Sequence, residues 1–384
     1  HGNNEWKKRM NRREFIGGGL ATVGLLSAAG AWFVHRPAFG KNPEGARLQR
    51  IMASPHYRNG KFQCIDPIDD IMEPSEDGEG RLSATWKFLF GDKTGLVPAQ
   101  PMLSRKTDLK ALLLEEDVVI WMGHSTFYLH LAGHRILIDP VLSSYASPLF
   151  FINKAFPGSN VYTADDFPPI DLLLLTHDHW DHLDYPSLMA LRPKIRDIVC
   201  PLGVGAYFEQ WGFDTTRLHE EDWFTEVKIA ADLQVHVLPS QHFSGRFLEQ
   251  NKTQWAGFAL LTPKRKIFCS GDGGYGSHFK KIGQQFGGFD LAIMENGQYN
   301  QQWHRIHLLP EETAQAAEDV GAKAVLPAHN GKFALARHPW DEPYRVLSAA
   351  SQTRNYRLLT PEIGEALRLD EPNSTFSPWW EKMA

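Results

Sequence analysis

One short loop carries four side chains that bind divalent metals: His177, His179, Asp181 and His182. The loop follows the apolar run 170–175, which has the composition of a buried strand. It precedes residues 185–191, which read as the start of a helix. Such a cluster is costly to bury without a cation, and its mixture of nitrogen and oxygen donors suits borderline-soft metals. The spacing therefore predicts a metal site on a strand-to-helix loop.

The same pattern recurs three times further along the chain, where an apolar strand ends and a ligand-type residue follows. These residues are His242, Asp272 and His329. A single histidine after a strand is more often structural than a ligand. Four strands that end this way in one chain predict a common metal site.

Composition restricts the class of protein. The chain has 384 residues and a formal net charge of −5, without the basic excess that nucleic-acid binding requires. The three cysteines, Cys64, Cys200 and Cys269, are widely spaced, so we expect neither a disulfide framework nor a thiolate metal site.

The N-terminal region has the features of an export signal. Arg12 and Arg13 are followed by the uncharged segment 17–34, which is rich in Gly, Ala and Leu. The pair predicts export by the twin-arginine route, which carries folded proteins. Ala38–Phe39–Gly40 is a candidate cleavage site. The location expected is the periplasm, either free or held by an uncleaved membrane anchor facing it.

We expect four parts in the chain. Residues 1–40 are the N-terminal extension and signal, and residues 41–105 are a proline-rich arm that wraps the main domain. Residues 106–370 form the hydrolase domain, and 371–384 are a polar, loose tail with a short helix or turn expected before it, at 361–367.

Beyond the ligand loop, several motifs carry a resemblance to a known family: Gly123–Thr126, Ile138–Ser143, Pro239–His242, Ser270–Tyr275 and Gly331–Ala336. Together they resemble the metallo-β-lactamase superfamily and, within it, the N-acyl-phosphatidylethanolamine-hydrolysing phospholipase D family. The resemblance covers roughly residues 50–370 and implies an α/β, four-layer αββα sandwich with a dinuclear metal site at one edge of two sheets.

The resemblance also implies which residues bind which metal. His177, His179 and His242 would hold the first ion, and Asp181, His182 and His329 the second. Asp272 would bridge them. Two Zn²⁺ ions suit this donor set, and ligand type does not exclude iron or manganese.

Further roles follow from the same resemblance. Asp139 and Asp184 are expected behind the ligands, orienting imidazoles, although a turn aspartate and a helix cap are equally good interpretations. His124 is grouped with them; lining the pocket and making a structural hydrogen bond in the Gly123–Thr126 turn are its other interpretations, of which we prefer the turn. Asp181 would orient the attacking hydroxide, and His307 would act as a proton donor or phosphate ligand.

Three positions depart from the family pattern. Gly273 stands where the family more often has threonine, and Asn330 and Lys332 replace the expected neighbours of the last ligand. These departures concern the substrate more than the metal site.

Two cations roughly 3.5–4 Å apart can hold a bridging hydroxide and neutralise the charge of an in-line displacement. We therefore expect a phospholipase D-type phosphodiesterase acting on N-acyl-phosphatidylethanolamine or a similar diester. The alternative is a lactonase or other carboxylic ester hydrolase, and a non-catalytic envelope protein ranks below both. The partner expected is a small-molecule or lipid phosphodiester and not nucleic acid; association with a membrane surface and a homodimer stay open.

Overall fold

The computed structural model describes residues 30–69, 71, 83, 86, 91–246, 249–371 and 373–383. The chain divides at Gly40 into two units. In the first, the described residues include a 3-10 turn at Pro37–Phe39. The arginine pair and most of the apolar segment lie outside the described residues, so the export signal stays a prediction. Among the residues described, no helix combines the length and apolar character needed to cross a membrane.

The second unit contains the regular structure. Its strands are β1 (Tyr57–Arg58), β2 (Lys61–Phe62), β3 (Val118–Trp121), β4 (Phe127–Leu131), β5 (His134–Ile138), β6 (Ile170–Leu174), β7 (Ile195–Pro201), β8 (Leu218–Glu221), β9 (Glu226–Ala230), β10 (Leu233–Leu238), β11 (Gly257–Leu261), β12 (Lys266–Cys269), β13 (Leu291–Glu295), β14 (Ala324–Ala328), β15 (Arg357–Leu358) and β16 (Ala366–Arg368). Its helices are α1 (Gly45–Ala53), α2 (Tyr185–Leu191), α3 (Gly205–Gln210), α4 (His278–Phe286), α5 (Pro310–Asp319) and α6 (Glu342–Ser351).

Fourteen of these strands form two seven-stranded mixed sheets. The first sheet has the order β16-β3-β4-β5-β6-β7-β8, and the second has the order β15-β14-β13-β12-β11-β10-β9. In each sheet one half is antiparallel and the other parallel; β5 to β8 and β12 to β15 are the parallel halves. Parallel strands deliver their carboxyl ends to one edge of the sheet. That edge carries the predicted ligands.

The two sheets pack face to face, with helices on the outer faces. Strand β13 illustrates the alternation: Leu291 and Ile293 face the core between the sheets, and Ala292 and Met294 face the α4–α5 side. Helices α2 and α3 cover the other sheet through residues such as Leu188 and Phe208. The expected αββα sandwich is confirmed, because alternate apolar residues on both faces of a strand require a layer on each side.

The chain outside the sheets packs more closely than its composition suggests. Ile51 and Phe62 of the arm are buried in the core between the sheets. The expectation of a loose tail is wrong for its end, because Trp379 and Trp380 are buried and the Trp379 indole donates to the Thr360 carbonyl at 3.1 Å. Of the short helix or turn expected at 361–367, the structure has a turn at Gly364, followed by β16.

Candidate metal centre

All seven predicted ligands come together at one edge of the sandwich. The loop after β6 carries four of them, and the loops after β10, β12 and β14 supply His242, Asp272 and His329. Because β6 belongs to one sheet and the other three strands to its partner, the site spans both sheets.

Three imidazoles form the first cluster. His177 Nε2 lies 3.0 Å from His179 Nδ1, and His242 Nε2 lies 3.2 Å from the same atom. A zinc–nitrogen bond of about 2.0–2.1 Å places neighbouring tetrahedral ligands roughly 3.3 Å apart. The spacing therefore matches three nitrogens directed at one ion.

Two imidazoles and two carboxylates form the second cluster. His182 Nε2 lies 3.3 Å from Asp181 Oδ2 and 3.0 Å from Asp272 Oδ2. His329 Nε2 lies 3.1 Å and 3.0 Å from the same two oxygens. These four atoms also have the spacing of ligands around one small cation.

Asp272 connects the clusters through a single oxygen. Its Oδ2 lies 3.8 Å from His177 Nε2 and 3.9 Å from His242 Nε2, in addition to its contacts with the second cluster. His182 Nε2 is buried without a well-formed hydrogen bond, although acids lie beside it. A buried, orphaned nitrogen directed at carboxylates fits two cations better than it fits a hydrogen-bond network.

Burial and charge set the protonation of the ligands. Burial, reinforced by neighbouring imidazoles, lowers the pKa of His177 and His242 well below the usual value. Neutral imidazoles are the form that binds metal. Burial acts in the same direction at His182 and His329, but the surrounding carboxylates, Asp272 foremost among them, together outweigh it and raise both pKa values well above the usual one. The second cluster therefore attracts positive charge strongly.

Asp139 supports the second cluster from behind. Its Oδ2 accepts from His182 Nδ1 at 2.7 Å and from the Thr176 hydroxyl at 2.6 Å, while its Oδ1 accepts from Thr176 N at 2.9 Å. This contact fixes the tautomer of His182 that presents Nε2 to the metal. It is the orienting contact expected of Asp139.

His124 and Asp184 occupy different places. His124 Nε2 lies 2.7 Å from Asp181 Oδ2, so it contacts a ligand directly. It is not one of the residues that line the cleft described below. Asp184 is the N-cap of α2: it accepts from Ser187 N at 3.2 Å and from the Ser143 hydroxyl at 2.6 Å. Of the two roles left open by the sequence, Asp184 takes the helix cap and makes no hydrogen bond with a ligand imidazole.

Two buried acids near the ligands escaped the sequence analysis. Glu295, the last residue of β13, contacts both His307 and His329. Asp178 accepts from the Tyr207 hydroxyl at 2.9 Å and from Gly245 N at 2.8 Å, and so fixes the ligand loop. Glu295 follows the pattern that identified the other strand ends, an apolar strand that ends on a ligand-type residue. Asp178 carries no comparable signal.

A cleft of about 690 Å³ opens onto both clusters. His307 lines it, as do the aromatic residues Phe243 and Trp303. The arm adds an apolar wall with Ile68 and Ile71. Phe151 and Ile152 line a separate groove.

The three departures from the family pattern have structural explanations. A Cβ at Gly273 would lie 2.6 Å from Ser240 Oγ, so the close approach of the loops carrying Asp272 and His242 requires glycine. The Asn330 amide donates to the Asn296 and Ala328 carbonyls, each at 2.9 Å. The buried Lys332 ammonium donates to the Val141 carbonyl at 2.6 Å.

Comparison with known families and proteins agrees with this geometry. A family model described as the beta-lactamase superfamily domain matches residues 134–330, which include all seven ligands. A solved structure titled CmlA, a diiron beta-hydroxylase from Streptomyces venezuelae, superimposes with a TM-score of 0.52 at 19% identity, covering 66% of this chain and 54% of that one. This likeness concerns the fold alone.

Two relatives extend the comparison. An uncharacterised protein of Mycobacterium tuberculosis is 34% identical over 94% of this chain and 98% of its own length. The N-acyl-phosphatidylethanolamine-hydrolyzing phospholipase D 1 of Caenorhabditis elegans is 28% identical over 64% of this chain and 74% of that protein.

Proposed function

Because this chain belongs to the metallo-β-lactamase superfamily, we propose that it is a metal-dependent hydrolase of the phospholipase D type. The substrate proposed is N-acyl-phosphatidylethanolamine or a similar phosphodiester, and the ions proposed are two Zn²⁺. The observation that carries the proposal is Asp272 Oδ2, which lies within 3.9 Å of a nitrogen in each cluster at the base of an open cleft. The similarity to the nematode phospholipase supports the choice of bond.

The residues of the site have three proposed roles: binding the ions, orienting water and donating a proton. His177, His179 and His242 would hold one ion, with the remaining four ligands around the other. When bound, such ions acidify water and stabilise the charge that develops on a phosphoryl group. Asp181 lines the cleft while its Oδ2 is held by His124, so its other oxygen is available to orient the attacking water. His307, on the cleft wall, would donate a proton to the leaving alcohol.

The shape of the cleft supports a lipid. Ile68, Ile71, Phe243, Trp303 and Leu335 form an apolar part of its lining, which also contains polar residues such as Gln63 and Gln250. An acyl chain bound there would be removed from water. Burial of each methylene group stabilises the complex by about 0.8 kcal/mol. A lactone or a small diester would leave this apolar part unused.

The test uses purified, zinc-loaded protein with N-acyl-phosphatidylethanolamine in detergent micelles. Phosphatidic acid and N-acylethanolamine are followed by mass spectrometry. We expect both products from the wild type and neither from Asp181→Asn. Failure to release them, with two metals bound per chain, would refute the phospholipase assignment and direct the search to lactones and smaller diesters.

We also propose that the enzyme works at a membrane surface, after export by the twin-arginine route to the periplasm. Phe150 and Phe151 are 76% and 65% exposed, and Lys154 lines the adjacent groove. Exposed aromatic residues beside a cation suit an anionic lipid surface. Sedimentation with anionic vesicles should be weakened by the double change Phe150→Ser/Phe151→Ser, and equal sedimentation of both proteins would refute the surface.

A further inference from the structure

Glu295 occupies a position between the second ligand cluster and the cleft. It is 1% exposed, and its Oε1 lies 3.1 Å from His329 Nδ1. The same oxygen makes a short hydrogen bond with His307 Nδ1. Its Oε2 accepts from Gly273 N at 2.7 Å, next to Asp272. One buried carboxylate is thus tied to a ligand, to the loop of the bridging residue and to a histidine of the cleft wall.

The contact determines what His307 presents to a substrate. Because Nδ1 is directed at Glu295, the opposite nitrogen, Nε2, is left for the cleft. His307 Nε2 has no hydrogen-bond partner within the described part of the chain. The ring also stacks on His329 at 5.3 Å and 11°, which limits its rotation. A carboxylate behind an imidazole stabilises the cationic ring and fixes its direction.

We propose that Glu295 is a positioning residue that forms a dyad with His307 and holds it as the proton donor for the leaving alcohol. The proposal rests on the hydrolase function proposed above. It predicts that Glu295 and His307 contribute to the rate as one unit. Neither residue is one of the predicted metal ligands, and Glu295 also contacts the ligand His329.

The bonds and protons of this step balance. A P–O bond forms to the oxygen of water, and the P–O bond to the alcohol breaks. The departing oxygen takes the proton from His307 Nε2. The proton that water loses returns to that nitrogen, while Glu295 keeps its hydrogen bond to His307 Nδ1. Each turnover therefore consumes one water and leaves the dyad unchanged.

The dependence on leaving group tests this role. A nitrophenolate departs without a proton, whereas an alkoxide requires one. General acid catalysis contributes about 10²–10⁴-fold. We therefore expect Glu295→Gln to lower kcat for an alkyl phosphodiester by about 10²-fold or more, and for its nitrophenyl analogue by less than about tenfold. His307→Ala should behave alike, and the double variant should be no worse than either single one.

Glu220→Gln is the matched control. Glu220 is also buried and accepts a backbone N–H, that of Gly203 at 2.6 Å, but its partners lie outside the site. This variant should show no leaving-group selectivity. With two ions bound per chain, equal losses on both substrates in Glu295→Gln, or additive effects in the double variant, would overturn the dyad.

A measurement without substrate separates the dyad from the proposed function. In ¹H–¹⁵N spectra of the zinc-loaded protein, the Nδ1–H signal of His307, assigned through His307→Gln, should be lost or strongly shifted in Glu295→Gln and unchanged in Glu220→Gln. An unchanged signal in Glu295→Gln would overturn the dyad. If the wild type cleaves neither diester, the phosphodiesterase function fails, and the dyad is decided by this spectrum alone.

Discussion

At the scale of single residues, the site depends on oxygens that serve more than one partner. Asp272 Oδ2 faces both ligand clusters, and Asp139 Oδ2 accepts from both His182 and Thr176. Removing such an atom affects several contacts at once. Substitutions of these residues should therefore change the amount of bound metal as well as the rate of hydrolysis.

Asp272→Ala should abolish hydrolysis and lower the bound metal from two ions per chain. The reason is that both clusters lose the oxygen that they share. The two metal ions also lose a carboxylate that offsets their positive charge. Metal analysis after gel filtration, alongside turnover, checks this. Wild-type turnover with two ions bound would contradict the assignment.

Asp139→Asn should weaken metal binding by about 10–100-fold without changing the ligand set, because the amide no longer fixes the tautomer of His182. Titration with a competing chelator measures the affinity. Asp184→Asn is the comparison, since Asp184 caps a helix and should alter stability more than metal affinity. Equal affinities for Asp139→Asn and the wild type would remove Asp139 from the site.

At the scale of elements, the ends of strands were predictable from sequence because buried strands have a distinct apolar composition. The loops after β6, β10, β12 and β14 were found in this way. Glu295 was missed because the apolar run of β13 was interpreted without regard to its last residue. The helix-cap role of Asp184 could not be separated from ligand support, since both place an aspartate before a helix and only the coordinates show its partners.

The close contact of two ligand loops explains Gly273 and gives a prediction. In Gly273→Ala the added Cβ would meet Ser240 Oγ at 2.6 Å and Gln241 N at 2.9 Å, next to His242. We expect overpacking to cost about 1–3 kcal/mol and to displace His242, so that the first ion binds more weakly. Stepwise metal titration measures both ions. An unchanged first site would show that the loops can separate freely.

The loop after β14 contains a buried lysine, Lys332, whose pKa should affect how the free energy of unfolding changes with pH. Burial lowers the pKa of Lys332 to about 8. Above that pH the unfolded chain still binds a proton that the folded chain has released, so stability rises with pH until about 10.4, the unfolded value. Relative to Lys332→Met, the wild type should gain about 2–3 kcal/mol between pH 7 and pH 10. Urea unfolding at both pH values tests this, and a constant difference would contradict it.

At the scale of the whole molecule, the sandwich was predictable from the resemblance, but the packing of its ends was not. A polar composition predicted a loose tail, yet two tryptophans anchor its end. Trp379 packs against Tyr344 and Trp121 of the core. Long-range contacts of this kind leave no periodic signal, because two aromatic residues in a polar segment define neither a strand nor a helix.

Trp379→Ala should therefore destabilise the fold by about 3–5 kcal/mol, as expected for a buried aromatic residue. Thermal unfolding of the metal-loaded protein gives the value. Trp86→Ala is the matched control, since that indole is 66% exposed. Equal melting temperatures for Trp379→Ala and the wild type would mean that the tail contributes nothing to stability.

The proposed reaction is hydrolysis of a phosphodiester by attack of water at phosphorus. The most direct measurement is hydrolysis of N-acyl-phosphatidylethanolamine in H₂¹⁸O by the zinc-loaded protein, with mass spectrometry of both products. We expect one ¹⁸O atom in phosphatidic acid and none in N-acylethanolamine, with no turnover after chelation. Label in N-acylethanolamine, or no cleavage while two ions are bound, would contradict it.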